Sequence, residues 1–128
     1  MSHNLDTIQE AVVKALRAAS ASVQSLASVG HGCPDILVGF RGQNFVMELK
    51  TPVVKKRGVR VPKLRAKQET WIRNWRGTVF VITSPDEALR AIGLSVRETN
   101  ELLTGPVAPL TNADRRLLLP VPAPPGGR

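Results

Sequence analysis

"GCPDILVGFRGQNFVMELK", residues 32–50, holds two apolar runs, PDILVGF and FVMELK, around Arg41-Gly42-Gln43-Asn44. Such runs flanking a Gly/Asn turn predict an antiparallel hairpin. With the turn centred on Gly42 and Gln43, Phe40 faces Phe45, Leu37 faces Glu48 and Asp35 faces Lys50. Side chains alternate along a strand and opposed residues share a face. One face then carries Ile36, Val38, Phe40, Phe45, Met47 and Leu49, all apolar, and the other carries Asp35, Leu37, Gly39, Val46, Glu48 and Lys50. Charged groups are costly to bury unless they are paired or hold a metal, so an ordinary core would exclude Asp35, Glu48 and Lys50. Their convergence at one end of one face points to a site. Hard divalent cations prefer carboxylate oxygens, and magnesium is usually held by one or two of them, which the diagonal pair Asp35 and Glu48 can supply. An ammonium beside them can orient a water and stabilise charge on a phosphate, a role open to Lys50. The bland alternative is a strand-edge ion pair of Asp35 with Lys50 and a half-exposed Glu48, and the Glu-x-Lys pattern alone does not decide between them.

Around this hairpin, Leu5, Ile8, Val12, Leu16 and Ala19 recur at helical spacing, with Asn4 or Asp6 available as a cap, and predict an amphipathic helix over 5–20. The following SASVQSLASVGHG has room for a short strand but no strong period. Residues 62–76 predict a second helix with Leu64, Gln68, Trp71, Ile72 and Trp75 along one side, stopped by Gly77. The helical spacing of the two tryptophans assigns them to the core, and Gln68 interrupts the stripe where a side chain should face the sheet. Residues 78–83, TVFVIT, predict a buried strand. Ser84-Pro85-Asp86-Glu87 and Ser95 to Glu98 have capping-box form, opening short helices that end at Gly93 and Gly105. The Pro-rich remainder predicts one domain over 1–105 and an extended or disordered tail over 106–128. Between Lys50 and Gln68, "TPVVKKRGVRVPKLRAK" predicts a basic hairpin turning near Arg57-Gly58, with Lys55, Lys56, Arg57, Arg60, Lys63, Arg65 and Lys67 and no acid. That concentration of charge suits phosphate contact.

Pro34-Asp35 followed by Glu48-Leu49-Lys50 on the next strand resembles the PD-(D/E)xK nuclease superfamily. Gly32-Cys33-Pro34-Asp35, Glu48-Leu49-Lys50, Gln68 in the following helix, and then a strand and SPDEAL, resemble more narrowly the VRR-NUC family of virus-type replication and repair nucleases, over about residues 5–93. The resemblance implies an α/β fold, with a restriction-endonuclease-like αβββαβ core whose central mixed sheet is flanked by helices. It further implies magnesium-dependent cleavage of DNA phosphodiesters, manganese substituting, with Asp35, Glu48 and the Leu49 carbonyl as metal ligands, Lys50 catalytic and Gln68 supporting the site. The family also places a glutamate of its first helix in the metal shell. Glu10 is the nearest, although it projects almost opposite the Ile8, Val12 and Leu16 stripe, which leaves Asp6 and Gln9 as alternatives.

The chain carries a net charge of +8 with 42% hydrophobic residues, too apolar for a disordered chain and basic enough to favour a polyanionic partner. Its one cysteine, Cys33, excludes an intramolecular disulfide and a cysteine-based zinc site. Neither a signal-peptide pattern nor a bilayer-length apolar run is present, so the expected setting is the cytoplasm, the host's if the chain is phage-encoded, with no membrane. The leading expectation is a nuclease selective for branched DNA such as a Holliday junction. Two symmetric cuts require a homodimer, for which Leu94, Val96, Leu102 and Leu103, or Leu117 to Leu119, offer apolar surface. A non-cleaving DNA-binding module, a restriction-type enzyme and RNA cleavage stay open as alternatives.

Overall fold

The computed structural model describes residues 7–104. The elements run α1 (Thr7–Ala18), β1 (Ser22–Ser25), β2 (Ile36–Phe40), β3 (Gln43–Leu49), β4 (Val53–Lys55), β5 (Gly58–Arg60), α2 (Ala66–Asn74), β6 (Val79–Ile82), α3 (Pro85–Ala91) and α4 (Val96–Thr104). Four strands form a mixed sheet of order β1-β2-β3-β6, antiparallel except where β6 lies parallel to β3, and β4 and β5 pair separately. This is an α/β arrangement with helices against a mixed sheet.

The β2–β3 turn is tighter than the sequence suggests. Arg41 and Gly42 both take positive φ, 50° and 79°, as a two-residue type I′ turn requires, so Phe40 pairs with Gln43 and Ile36 with Met47. The register thus differs by two residues from the expected one, and a shift of two keeps every side chain on its face. Ile36, Val38, Phe40 and Met47 are buried together with Ile8, Val12, Ala15 and Leu16 of α1 and Ala88 and Leu89 of α3. The helical stripe read from the sequence is therefore the one that packs.

β6 is the far edge of the sheet rather than a fully buried strand, so Ile82 reaches the core while Val81 on the opposite face stays 43% exposed. α2 is shorter than the expected 62–76. Residues 61–65 lie outside the helix, Arg65 being extended (φ −74°, ψ 160°), and the chain leaves the helix at Trp75 (φ −80°, ψ 127°). Trp75 consequently lies 47% exposed and Trp71 only half-buried, so the pair is not core. Ser95 and Glu98 form the full reciprocal cap, whereas Glu87 turns back to Thr83 while Ser84 caps the Glu87 N–H. On α4 and its lead-in, Leu94 is buried in the domain's own core and Leu102 half-buried. Val96 and Leu103 alone of the four expected dimer residues remain exposed, at 57% and 42%. The caps Asn4 and Asp6, Leu5, Gly105, the 106–128 tail and Leu117 to Leu119 lie outside the described residues. Among the described residues no helix is long and apolar enough to cross a membrane.

Candidate active site

β3 brings Glu48 to the face opposite the apolar core, beside the exposed Val81 of β6. Glu48 is nevertheless only 2% exposed, because Lys50 and Gln68, themselves 9% and 8% exposed, close over it. Gln68 is the one buried residue of α2. That helix sets a polar side chain inward, over the end of β3.

The hydrogen bonds of Gln68 fix its orientation. Its Oε1 accepts from Lys50 Nζ at 2.8 Å and from the Arg65 main-chain N–H at 2.9 Å, while its Nε2 donates to Glu48 Oε2 at 2.9 Å. Two donors on one side and a carboxylate on the other admit only this assignment, since a flipped amide would set N–H against N–H. Gln68 also satisfies an otherwise free N–H at the start of α2, so the same amide starts the helix and orders the site. Lys50 Nζ lies 3.5 Å from Glu48 Oε2, making a buried ion pair bridged by the glutamine.

Asp35 stands at the mouth of β2, where its main-chain N–H donates to the Met47 carbonyl and its Oδ2 accepts from the Leu49 N–H at 2.6 Å. Main chain and side chain of Asp35 thus grip β3 on both sides of Glu48. Gly32 brings the preceding loop in. Its φ of +83° suits glycine, and a Cβ there would run into the Lys67 carbonyl, so only glycine lets residues 30–34 dock on the first turn of α2. Loop, hairpin and helix meet here because each supplies a close backbone approach.

The electrostatics follow from this packing. Burial pushes the Glu48 carboxyl up to about 7, the Asp35 carboxylate adds to the rise, and Lys50 opposes it. The Cys33 thiol is raised as well, by burial first and then by Glu48 and Asp35. Burial and the mutual repulsion of the two acids thus work against ionising Glu48. Glu48 Oε1 is buried with no hydrogen-bond partner among the described residues. A buried carboxylate oxygen left without a donor costs on the order of 1–3 kcal/mol, more when ionised, and a hard cation held between Glu48 and Asp35 would offset that cost. The donor set present, the carboxylates of Asp35 and Glu48, is of the hard oxygen kind such an ion takes.

The structure brings together Asp35, Glu48, Leu49, Lys50 and Gln68. It does not bring Glu10, which is exposed on α1 with Lys14 and Arg17 beside it on the same surface. The Ile8, Val12 and Leu16 stripe must face the sheet, and that turns position 10 away. Gln9 is half-buried, and no third His, Cys, Asp or Glu joins the Asp35–Glu48 pair among the described residues. Lys55, Lys56, Arg57, Arg60, Lys63, Arg65 and Lys67 are all exposed, the first four on the β4–β5 hairpin, which turns at Lys56 and Arg57. What the sequence reading missed is the Arg65 N–H to Gln68 contact and the surface position of the tryptophans. The first has a faint signal, a glutamine three residues after the helix start, but without the Ser or Thr that marks a capping box. No protein-family model, curated protein or solved structure matches the chain.

Proposed function

We propose that the chain is a divalent-metal-dependent nuclease of the PD-(D/E)xK type, of the VRR-NUC kind, that hydrolyses DNA phosphodiesters at the end of β3. The observation that carries this reading is the Glu48 carboxylate. It is buried and raised in pKa, in part by Asp35, and among the described residues one of its oxygens has no partner while Lys50 and Gln68 occupy the other. Buried carboxylate oxygens are as a rule hydrogen-bonded, so an orphaned one asks for an explanation. The element order, a helix, three strands, a helix and a strand with the basic hairpin inserted before α2, supports the same reading.

A magnesium ion held by Asp35, Glu48 and the Leu49 carbonyl would supply Lewis-acid polarisation of a phosphoryl oxygen and a more acidic water. The chain's own residues do the rest. Of the three Lys50 donors, one goes to Gln68 and one points to Glu48, which leaves the third for the attacking water or a non-bridging phosphate oxygen. Gln68 acts by position, holding Lys50 and Glu48 in one geometry. The exposed basic residues of the β4–β5 hairpin and of 63–67 grip the flanking phosphates and concentrate the polyanion at the site. A homodimer with a preference for branched DNA belongs to this proposal, with Val96 and Leu103 of α4 as its apolar face.

The decisive experiment incubates the protein with magnesium and labelled duplex, flap, single-stranded and four-way-junction DNAs, beside Glu48→Gln. Metal-dependent cleavage that the variant lacks is the expected result. No cleavage of any substrate with magnesium or manganese, or equal cleavage by the variant, defeats the reading. Light scattering tests the dimer, and a monomer at micromolar concentration defeats that part.

A further inference from the structure

Beside α2 lies a groove of 510 Å³ lined by His31, Lys67, Thr70, Trp71, Asn74 and Trp75. The two indoles stack with ring centroids 4.7 Å apart and planes 18° from parallel. With Trp71 stacked on Trp75 and 47% of Trp75 exposed, the indole pair meets solvent at the groove. Large aromatics are worth most when buried, so an indole pair held open on a small domain calls for an occupant. The chain also holds the pair in place. Leaving the helix at Trp75, it packs Gly77 so closely that a Cβ there would lie 2.9 Å from Trp75 Nε1.

Charge and position narrow the occupant. None of the lining residues is acidic, Lys67 is in the wall, and Arg73 and Arg76 are exposed beside it. Hydroxyl, amide and imidazole groups at Thr70, Asn74 and His31 provide hydrogen bonds around the aromatic floor. The groove adjoins the acid pair, since His31 belongs to the loop that leads to Asp35, and Lys67 precedes the glutamine that donates to Glu48. The Pro-rich segment 106–128 of the same chain is a poorer match, because it brings Arg115, Arg116 and Arg128 against the single acid Asp114, basic charge onto basic charge.

We propose that this groove stacks one unpaired nucleobase of a nucleic-acid strand whose neighbouring phosphate enters the Asp35–Glu48 site. A base inside continuous duplex has both faces covered by its neighbours and cannot offer one to Trp75. The preferred substrate is therefore a strand with unstacked nucleotides, as at a flap, a gap or a junction. The placement of the phosphate rests on the nuclease reading, while the base site rests on the groove.

The chain has two tryptophans and no tyrosine, so its intrinsic emission reports this groove alone. The full-length protein in EDTA is titrated with a short oligodeoxythymidine and with an abasic strand of equal phosphate number. The oligodeoxythymidine is expected to quench the emission and to bind roughly ten-fold more tightly, the size of one base–aromatic stack. Trp75→Ala should erase that difference while leaving affinity for the abasic strand unchanged, and Trp75→Phe, which keeps a ring, should restore most of it. Equal quenching and affinity for the two strands, or a difference that survives Trp75→Ala, overturns the inference. So does emission shielded from acrylamide in the free protein, which would assign the groove to the chain's own tail. Adding magnesium with labelled duplex, flap, single-stranded and four-way-junction DNAs to the same protein tests the nuclease reading separately, since base-dependent quenching without cleavage of any of them would refute that reading and uphold the base site.

Discussion

Glu48 and Lys50 are 2% and 9% exposed, whereas Lys55, Lys56, Arg57 and Arg60, only a few residues further along the chain, are all exposed. In the first group each charge has a fixed partner, and removing one strands another, because burial denies it the solvation an exposed charge has. In the second group each charge is solvated on its own and acts through the summed field. The same residue type thus serves two purposes. Lys50 is held to 2.8 Å by a glutamine, and Lys55 needs no partner. Burial converts charge into geometry, while exposure leaves it as attraction.

The widest expected contrast is in catalysis. Glu48→Gln keeps volume and can still accept from Gln68 but cannot bind a cation as a carboxylate does, so cleavage should fall by about 10³-fold or more, at least the loss seen when one electrostatic stabiliser is removed. Asp35→Asn should lose as much and also weaken the grip on the Leu49 N–H. Single-turnover cleavage assays with circular dichroism as a fold control check both. Near-normal rates in either variant would place these acids with the ordinary ion pairs of the surface.

Lys50→Met and Gln68→Leu separate chemistry from positioning. The first removes the ammonium and should cost about 10²-fold or more in rate while magnesium affinity, followed by calorimetry, persists. The second unties Lys50, Glu48 and the Arg65 N–H together and should cost about 10- to 100-fold in rate, in the range of supporting partners of metal ligands, with a lower melting temperature. If Gln68→Leu melts like the native protein and cuts normally, the amide is a bystander.

The pH dependence of stability sharpens the comparison further. In chelator, folded Glu48 keeps its proton up to about 7, whereas the unfolded chain releases it near 4.5. Between these values the folded state binds more protons, so stability is greatest below the window and falls as pH rises through it, by up to about 3 kcal/mol. Urea unfolding of the native protein and of Glu48→Gln across this range isolates the effect, because the variant has no proton to lose there. Magnesium should shrink the fall, since a cation favours the charged carboxylate. Parallel curves for the two proteins would mean that the burial of Glu48 has no electrostatic consequence.

How much of this was legible in the sequence depends on which physical constraint was at stake. The faces of β2 and β3 were legible because parity survives a two-residue slip, so Asp35 could be placed with Glu48 and Lys50 although the turn proved tighter. The core stripe of α1 was legible for the same kind of reason, and it already hinted that Glu10 points away. The ends of α2 were not. Arg65 gives no capping signal, and Trp75 leaves the helix in extended conformation, so periodicity assigned to the core an indole that lies on the surface. The open face of β6 was hidden too, since a run such as VFVI reads as buried on both sides whether it ends in the middle of a sheet or at its edge.

The smallest effect per residue belongs to the exposed hairpin. Changing Lys55, Lys56 and Arg57 together to Ala should leave stability within about 0.5 kcal/mol of the native protein, as surface substitutions away from special contacts do. Binding should weaken alike for every DNA sequence, because a solvated ammonium meets phosphate and not base. If all three neutralise phosphates, the dependence of log affinity on log salt should flatten by about 2 on single strands. Filter binding between low and moderate salt, in EDTA so that no strand is cut, measures this slope directly. An unchanged slope would show that the hairpin only solubilises the domain and would shift the task of holding DNA to Lys63, Arg65 and Lys67. Those residues border the buried cluster, so the line between geometry and attraction would then run through the start of α2.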